Sequence, residues 1–474
     1  MRPLPKKLAH AAMAAAVVSL CALPMSPTAY AYPEPVFDPV RDGEATPPDG
    51  VPAPPIPMKQ NKTCVISAVL EQSQFDNVPV NTVFEVSKLH QLAVGRGQTV
   101  AVVDSGVNPN VRLPGLIGGG DYIMGGDGLN DCDHHGTLVA GIIAARPQPG
   151  DGFVGVAPEA SILSIRQTSN AFTPEQTPSG YNQGVKSASN VRTLAESIVH
   201  AANLGATVIN MSITACFDAN SPVDTNALAG ALHYASVIKN AVLVSSAGNV
   251  GSDTACKQNP PPSASNVDDP DGWGNVVSVS LPSLWSQFVV SVGGTTLTGE
   301  PYVNTMGGPW VDVSAPAINI VSLNPAEGDK GTLVNAQIKD GQPVPISGTS
   351  FASAYVSGLA ALIREKYPEL RANQVVARIK ETAHTPAKGT MKYLSGSGIV
   401  DPVAALSATL NPGEKVEEGV SPIPADPIQG SSIPDTAARD VALYALLGAA
   451  SLLGVLALIS LAIRAGRGKK FTRG

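Results

Sequence analysis

The sequence predicts an α/β protein with a doubly wound, mostly parallel sheet that carries helices on both faces. Short runs that are almost entirely apolar alternate with segments of helical periodicity, as in sheets that are buried on both sides. The predicted strands are 99–103, 161–165, 206–211 and 241–244, and the helices between the last three are 193–204 and 226–238. Strands that alternate with helices in this way pair in parallel, and their carboxyl ends gather the functional residues.

One large domain, residues 85–408, accounts for this pattern, and a proline-rich segment lies on each side of it. The first, the extension, covers residues 32–84, and its prolines crowd into 33–57. We expect no helix or inner strand at 33–57, because proline suits an extended, polyproline-like chain. Residues 409–440 are rich in proline, glycine and glutamate and are predicted to form a stalk.

Both ends of the chain carry targeting signals. Residues 1–31 combine basic residues, an apolar stretch and a small-residue cleavage site, which predicts a signal peptide and a mature start near Tyr32. Residues 441–463 carry no charge and span roughly 35 Å as a helix, enough to cross a hydrocarbon core of about 30 Å. The basic tail, 464–474, is expected in the cytoplasm. These signals predict a single-pass membrane protein with its large domain outside the cytoplasm.

The cysteines and the charge limit the classes of function. Four cysteines remain after the signal peptide, and an even number outside the cytoplasm favours two disulfides. They are Cys64, Cys132, Cys216 and Cys256. Their spacing lacks the close pairs of a zinc site, and we expect no metal or other cofactor. A net charge of −7 over 474 residues gives no support for nucleic-acid binding.

Three short strings present an aspartate, a histidine and a serine, in that order. The strings are Asp104-Ser105-Gly106, His135-Gly136-Thr137 and Gly348-Thr349-Ser350. Ser350 needs a base to become a nucleophile; His135 is the candidate base, and Asp104 would orient its imidazole. By itself Ser350 reads equally well as a helix N-cap, and the other two strings favour the nucleophile. We expect the neighbouring His134 to face solvent.

Two further groups of polar residues lie near these strings. Asn249 follows a buried strand within Ser-Ser-Ala-Gly-Asn, and its amide suits an oxyanion donor beside the Ser350 N–H; an asparagine in a glycine turn is the equal alternative. Four aspartates precede His135, and they do not have the spacing of a calcium loop. We interpret them as a solvated acidic loop. They are Asp121, Asp127, Asp131 and Asp133.

With these strings in place, residues 95–408 resemble the subtilases, the S8 family of serine peptidases. The resemblance implies a subtilisin-like fold and acyl-enzyme catalysis by Asp104, His135 and Ser350. Asn210-Met211-Ser212 is similar to the substrate-binding edge of the family, in which backbone groups at the Ser212 position pair with an extended peptide. The family usually has glycine two residues after that serine, whereas this chain has Thr214, so the specificity of the pocket is not transferred.

The order of segments along the whole chain resembles the mycosins, the membrane-anchored subtilases of mycobacterial type VII secretion systems. This resemblance implies that the extension wraps around the catalytic domain, with disulfides Cys64–Cys132 and Cys216–Cys256. It also implies association with the secretion membrane complex and cleavage of a few protein substrates outside the cytoplasmic membrane. A mainly structural role, which stabilises that complex independently of proteolysis, is the alternative.

Overall fold

A parallel sheet of seven strands is the centre of the part of the chain that the structure describes. This computed structural model describes residues 32–176, 183–221, 223–251, 255–263, 266–385 and 392–411. The strands are Met58–Gln60 (β1), Ser67–Ala68 (β2), Thr99–Asp104 (β3), Leu116–Asp121 (β4), Ser161–Arg166 (β5), Phe172–Pro174 (β6), Val208–Met211 (β7), Ala215–Asp218 (β8), Val242–Ser246 (β9), Ser278–Leu281 (β10), Val289–Thr295 (β11), Val313–Pro316 (β12), Ser322–Leu323 (β13), Leu333–Val334 (β14), Ala336–Lys339 (β15) and Gln342–Pro345 (β16). The helices are Arg41–Glu44 (α1), Pro79–Val83 (α2), Val86–Leu89 (α3), His135–Ala144 (α4), Gln183–Asn203 (α5), Asn226–His233 (α6), Thr349–Lys366 (α7), Ala372–Glu381 (α8), Lys392–Ser395 (α9) and Pro402–Ser407 (α10).

The strand order in the central sheet is β12-β11-β9-β7-β3-β5-β4, and every neighbouring pair is parallel. Successive residues of β3 contribute to two different cores. Val100 and Val102 lie in the core that includes α4 and α7, while Ala101 and Val103 lie in the core that includes α5 and α6. The prediction of a mostly parallel sheet with helices on both faces is therefore confirmed.

The predicted elements differ from the observed ones mainly at their ends. The four predicted strands correspond to β3, β5, β7 and β9, each within two residues at either end. The predicted helix 193–204 is the second half of α5. The predicted helix 226–238 ends as α6 at His233 and continues as a π-helical turn, Tyr234–Ile238.

The predicted signal peptide, membrane helix and basic tail lie outside the described residues, as does the stalk beyond residue 411. Among the described residues, no helix has the length and apolar character needed to cross a bilayer. All described residues belong to one unit, residues 1–418.

The extension contacts the large domain at many points along its length. α1 lies directly on α6, where a Cβ added to Gly230 would meet the Asp42 carbonyl oxygen at 2.2 Å. β1 pairs with β6, and β2 pairs with β15, both in antiparallel fashion. At its end, Val80 and Phe84 are buried in the same core as α7. The extension therefore contributes to the hydrophobic core as well as to the surface.

One expectation about the extension is wrong. Residues 33–57 were expected to contain no helix, but α1 forms a single helical turn there. The turn lies in a stretch of seven residues without proline, 40–46. The Asp38 carboxylate accepts hydrogen bonds from the N–H groups of Val40 and Arg41, at 2.9 and 3.1 Å. This local cap satisfies backbone donors that a short helix leaves open, which proline content alone does not reveal.

Candidate active site

The carboxyl end of β3 and the first turn of α4 meet at one edge of the sheet. β3 ends at Asp104, whose side chain is fully buried, and α4 begins at His135, whose side chain is 29% exposed. The Nδ1–H of His135 donates a hydrogen bond to Asp104 Oδ1 over 2.7 Å. With Nδ1 occupied in this way, Nε2 is the nitrogen available to act as a base.

The charge of Asp104 controls the protonation of His135. Burial lowers the pKa of His135, but the Asp104 charge and the hydrogen bond outweigh burial, and the pKa lies above its ordinary value. Asp131 and Asp133 contribute in the same direction as Asp104. The acid limit of any reaction that needs this base is therefore set mainly by the neighbouring carboxylates.

Glycine follows His135 because a side chain has no room there. A Cβ added to Gly136 would lie 2.1 Å from the Gly106 carbonyl oxygen and 3.2 Å from the Asp104 Cβ. The backbone after β3 and the backbone of α4 thus approach each other closely at this point. This contact places His135 beside Asp104.

Ser350 lies in the first turn of α7 and is 7% exposed. The preceding Gly348 has φ 149° and ψ 155°, a conformation essentially restricted to glycine. A Cβ added to Gly348 would lie 3.5 Å from Ser350 Oγ and 3.6 Å from Asn249 Nδ2. The hydroxyl and the amide therefore border the same small space. The His135 ring lies 5.4 Å from the ring of Phe351, the next residue of α7.

The Asn249 amide is oriented by the start of α7. Its Oδ1 accepts hydrogen bonds from the N–H and the hydroxyl of Thr349, at 3.0 and 3.2 Å. The donor nitrogen is therefore the half of the amide that can serve a ligand beside Ser350. Together with the N–H groups at the beginning of α7, it forms a set of donors suited to a developing oxyanion.

Asn249→Ala is expected to lower turnover by about 10²–10³ with little change in KM, because an oxyanion donor acts mainly in the transition state. Steady-state hydrolysis of a peptide ester measures both constants. Thermal unfolding of the same variant checks that the lost contacts to Thr349 have not disturbed α7. A variant with unchanged turnover would show that Asn249 is only a turn residue.

Ser212 follows β7, and its side chain bonds to the first turn of α7, which carries Ser350. Its Oγ donates to the Ser350 carbonyl oxygen over 2.8 Å and lies 2.9 Å from Ser353 Oγ. Asn210 Nδ2 donates to Ser212 Oγ over 2.8 Å, and Ser357 Oγ donates to Asn210 Oδ1 over 2.9 Å. The expected role of the Ser212 backbone toward substrate stays a prediction, and the Ser212 side chain additionally bonds to α7.

Sequence reasoning missed Asn210, Ser353 and Ser357. The signal was present, because residues 350, 353 and 357 recur at helical spacing in an otherwise apolar helix. A hydroxyl stripe on one face of a buried helix requires polar partners on the element beneath it. Asn210, at the carboxyl end of β7, is that partner.

His134 does not face solvent as expected. Its side chain is half-buried, and its Nδ1 lies 2.9 Å from Ser67 Oγ of the extension. Burial lowers the pKa of His134 below its ordinary value. The contact of His134 is with Ser67, a residue 67 positions earlier in the chain, so the local sequence around His134 does not indicate it.

The interpretation of a solvated acidic loop is also wrong for three of the four aspartates. Asp127 is exposed, but Asp121, Asp131 and Asp133 are buried. Each buried carboxylate accepts hydrogen bonds from backbone N–H groups or hydroxyls, and Asp121 also accepts one from the Arg166 guanidinium, which satisfies donors that would otherwise be unpaired. Their donors are Ile123, Met124 and Arg166 for Asp121, Ser105 and Thr137 for Asp131, and Ser169 and Asn170 for Asp133.

Two disulfides are present. Cys64 of the extension is joined to Cys132, three residues before His135, and Cys216 is joined to Cys256. In the described parts of the chain, no group of three or more His, Cys, Asp or Glu side chains is arranged to hold a metal ion.

Comparisons with known proteins identify the family to which this fold belongs. Residues 95–399 match the Subtilase family, peptidase S8. Mycosin-1 of Mycobacterium tuberculosis is 47% identical over 400 residues, which cover 84% of this chain and 86% of the relative. Mycosin-3 of the same species is 43% identical and covers 88% of this chain and 91% of the relative.

Solved structures give the same result. MycP3 protease from the type VII (ESX-3) secretion system is 46% identical, with a TM-score of 0.75 over 80% of this chain and all of that one. A chain in the intact ESX-5 inner membrane complex is 40% identical, with a TM-score of 0.76 over 90% of this chain and all of that one. The protein is a subtilisin-like serine peptidase and belongs to the mycosins within the subtilase family.

Proposed function

We propose that Asp104, His135 and Ser350 are the catalytic triad of an endopeptidase. His135 Nε2 takes the proton of Ser350 as the hydroxyl attacks a peptide carbonyl carbon. The oxyanion that forms accepts hydrogen bonds from Asn249 Nδ2 and the Ser350 N–H, and His135 then donates its proton to the leaving amine. Water hydrolyses the acyl-enzyme by the same route. The hydrogen bond of 2.7 Å between His135 Nδ1 and the fully buried Asp104 carboxylate is the observation that carries this proposal.

The experiment is labelling of the native chain with a serine-directed fluorophosphonate, followed by peptide mapping. The expected result is one label, on Ser350, that is lost when the chain is heat-denatured before labelling. Ser407, an exposed serine of α10, is an internal control that should stay unlabelled. A label on another serine, or no label on folded protein, would refute the triad.

The substrate we propose is an extended segment of an exported protein. In this proposal it lies along Ser212–Thr214, beside the nucleophile. The extension supports a restricted choice of substrate, because it is fixed close to His135 by the Cys64–Cys132 disulfide. A site with a covalent neighbour of this kind suits a few delivered proteins better than general digestion. Comparing surface and secreted proteins with and without an active chain tests this restriction.

The location we propose follows from the two ends of the chain. Residues 1–31 direct export, 441–463 anchor the protein in the cell membrane, and 464–474 remain in the cytoplasm. The presence of similar chains in an ESX-5 inner membrane complex and in its periplasmic assembly supports this orientation. In intact spheroplasts, added protease should remove the catalytic domain and leave an epitope attached after residue 474 protected.

A second role, as a structural subunit of a type VII secretion membrane complex, is favoured by those same relatives. Under this proposal the folded chain stabilises the complex whether or not it cleaves anything. Crosslinking in membranes should recover this chain together with the other membrane subunits. If the chain and those subunits separate completely under mild detergent and crosslinking, the structural role is wrong.

Cys64→Ser with Cys132→Ser is expected to lower the free energy of unfolding by about 2–4 kcal/mol, because the disulfide closes a loop of 68 residues. Denaturant unfolding measures this loss. The matched control is Cys216→Ser with Cys256→Ser, which opens a loop of 40 residues within the large domain. Only the Cys64→Ser, Cys132→Ser variant should be cleaved early by trypsin at Lys59 and Lys62. Equal resistance of the two double variants to trypsin would contradict a tethering role of the first disulfide.

A further inference from the structure

Asp131 is a buried carboxylate that is linked to Asp104 of the predicted triad through one residue, Ser105. It is 2% exposed, and its Oδ2 accepts hydrogen bonds from the N–H and hydroxyl of Thr137, at 2.8 and 2.6 Å. Its Oδ1 accepts the hydroxyl of Ser105 over 2.8 Å. From its sequence context Asp131 was expected in a solvated loop, and the proposed catalytic cycle of Asp104, His135 and Ser350 does not use it.

The Ser105 hydroxyl lies between two carboxylates and has a single proton to donate. Its Oγ lies 2.8 Å from Asp131 Oδ1 and 3.2 Å from Asp104 Oδ1. The same Oγ accepts the Gly136 N–H over 2.9 Å, which leaves the hydroxyl proton as the variable part of the arrangement. A single hydroxyl cannot make a full hydrogen bond to both carboxylates, so its direction depends on which of them is the stronger acceptor.

We propose that Asp131 is a positioning residue for catalysis. It accepts the hydrogen bond of the Ser105 hydroxyl, so that this hydroxyl does not compete with His135 for the charge of Asp104. When Asp131 is neutral, the Ser105 hydroxyl turns to Asp104 Oδ1, which already accepts the Ser105 N–H at 2.7 Å and His135. A further donor on that oxygen weakens its hold on the imidazolium. The inference rests on the proposed triad and adds a residue that influences the protonation of its base, His135.

The surroundings of Asp131 make both its ionised and its neutral state accessible. Burial, with a smaller contribution from the charge of Asp104, raises the pKa of Asp131 to about 6, although the hydrogen bonds from Thr137 and Ser105 act in the opposite direction. The charged groups that face this cluster are Asp104, His135 and Asp133. Acidification therefore protonates His135 and also weakens the carboxylate that holds it.

Asp131→Asn reverses the direction of the Ser105 hydrogen bond with almost no change of shape. The amide oxygen keeps the two Thr137 donors, and the amide nitrogen then donates to Ser105 Oγ. With two donors on its oxygen, Ser105 must turn its proton to Asp104. The acid limb of the fluorophosphonate labelling rate of Ser350 should move about one pH unit lower, and its plateau should fall up to about tenfold.

Ser105→Ala is the control that separates this route from a bare charge effect. In the Ser105→Ala background, Asp131→Asn should move the acid limb by less than half as much, because the shared hydroxyl is gone. Equal shifts in both backgrounds, or no shift in either, would overturn the inference. If wild-type protein is not labelled at Ser350 at all, the proposed triad is wrong, which is a different outcome.

Thr137→Val keeps the test available if Asp131→Asn does not fold. It removes one hydrogen bond that holds Asp131 ionised, at 2.6 Å, and preserves the branched shape. The pKa of Asp131 should rise, and the labelling rate near pH 7 should fall by about two- to threefold with a steeper acid limb. A profile that superimposes on that of the wild type overturns the inference.

Discussion

Ser350→Ala is expected to abolish fluorophosphonate labelling and to lower peptide hydrolysis by on the order of 10⁶, as when a serine nucleophile is removed from a triad that acts as a unit. The fold should be unaffected, because the Ser350 Oγ is not among the groups that hold α7; the backbone carbonyl of Ser350 accepts from Ser212 and Ser353. Burst-phase acyl-enzyme formation and labelling stoichiometry both measure the loss.

Ser407→Ala is the matched control, since Ser407 is exposed on α10 and, among the described residues, its hydroxyl bonds only to Val403 of its own helix. Labelling of the Ser350 variant at the wild-type rate would show that the nucleophile is another residue. Expression of Ser350→Ala in a strain lacking the protein also separates the two proposed roles. Restored secretion shows that the structural role suffices, and no restoration despite stable protein shows that catalysis is required.

Asp104→Asn is expected to lower turnover by about 10⁴, because an amide stabilises the wrong tautomer of His135 and no longer balances the imidazolium charge. The pKa of His135 should fall as well, because the Asp104 charge is the principal influence that raises it. The acid limb of the rate profile should therefore move to lower pH while the plateau collapses. Hydrolysis of an activated ester from pH 5 to pH 9 measures both effects.

Asp127→Asn is the control for this change. Asp127 belongs to the same loop before α4 and is exposed, and within the described residues its carboxylate accepts only the Leu129 N–H, at 2.9 Å. Its substitution should leave both the plateau and the acid limb in place. A loss of less than tenfold in Asp104→Asn would mean that another group orients His135.

The fold and the candidate triad were predictable because their signals are local. β3, α4 and α7 each have a short pattern of apolar periodicity, and the chemistry-bearing residue stands at the end of the element. In a parallel sheet the carboxyl ends share an edge, so the functional residues were expected to gather at that edge.

The environment of His134 and Asp131 was not predictable in the same way. Both lie in a polar stretch that by composition looks solvated, but Asp131 is buried and His134 is half-buried. His134 meets Ser67, and Asp131 meets Ser105 and Thr137. Burial of this kind depends on long-range packing, which a single sequence does not encode in its periodicity.

The disulfide between Cys64 and Cys132 has a practical consequence for anyone who follows this protein on a gel. Backbone cleavage anywhere within residues 65–131 leaves two polypeptides that are still one covalent molecule. Such a cut chain migrates at full length until a reductant is added. Preparations that look intact without reductant therefore have to be compared with a reduced lane before any maturation event is assigned.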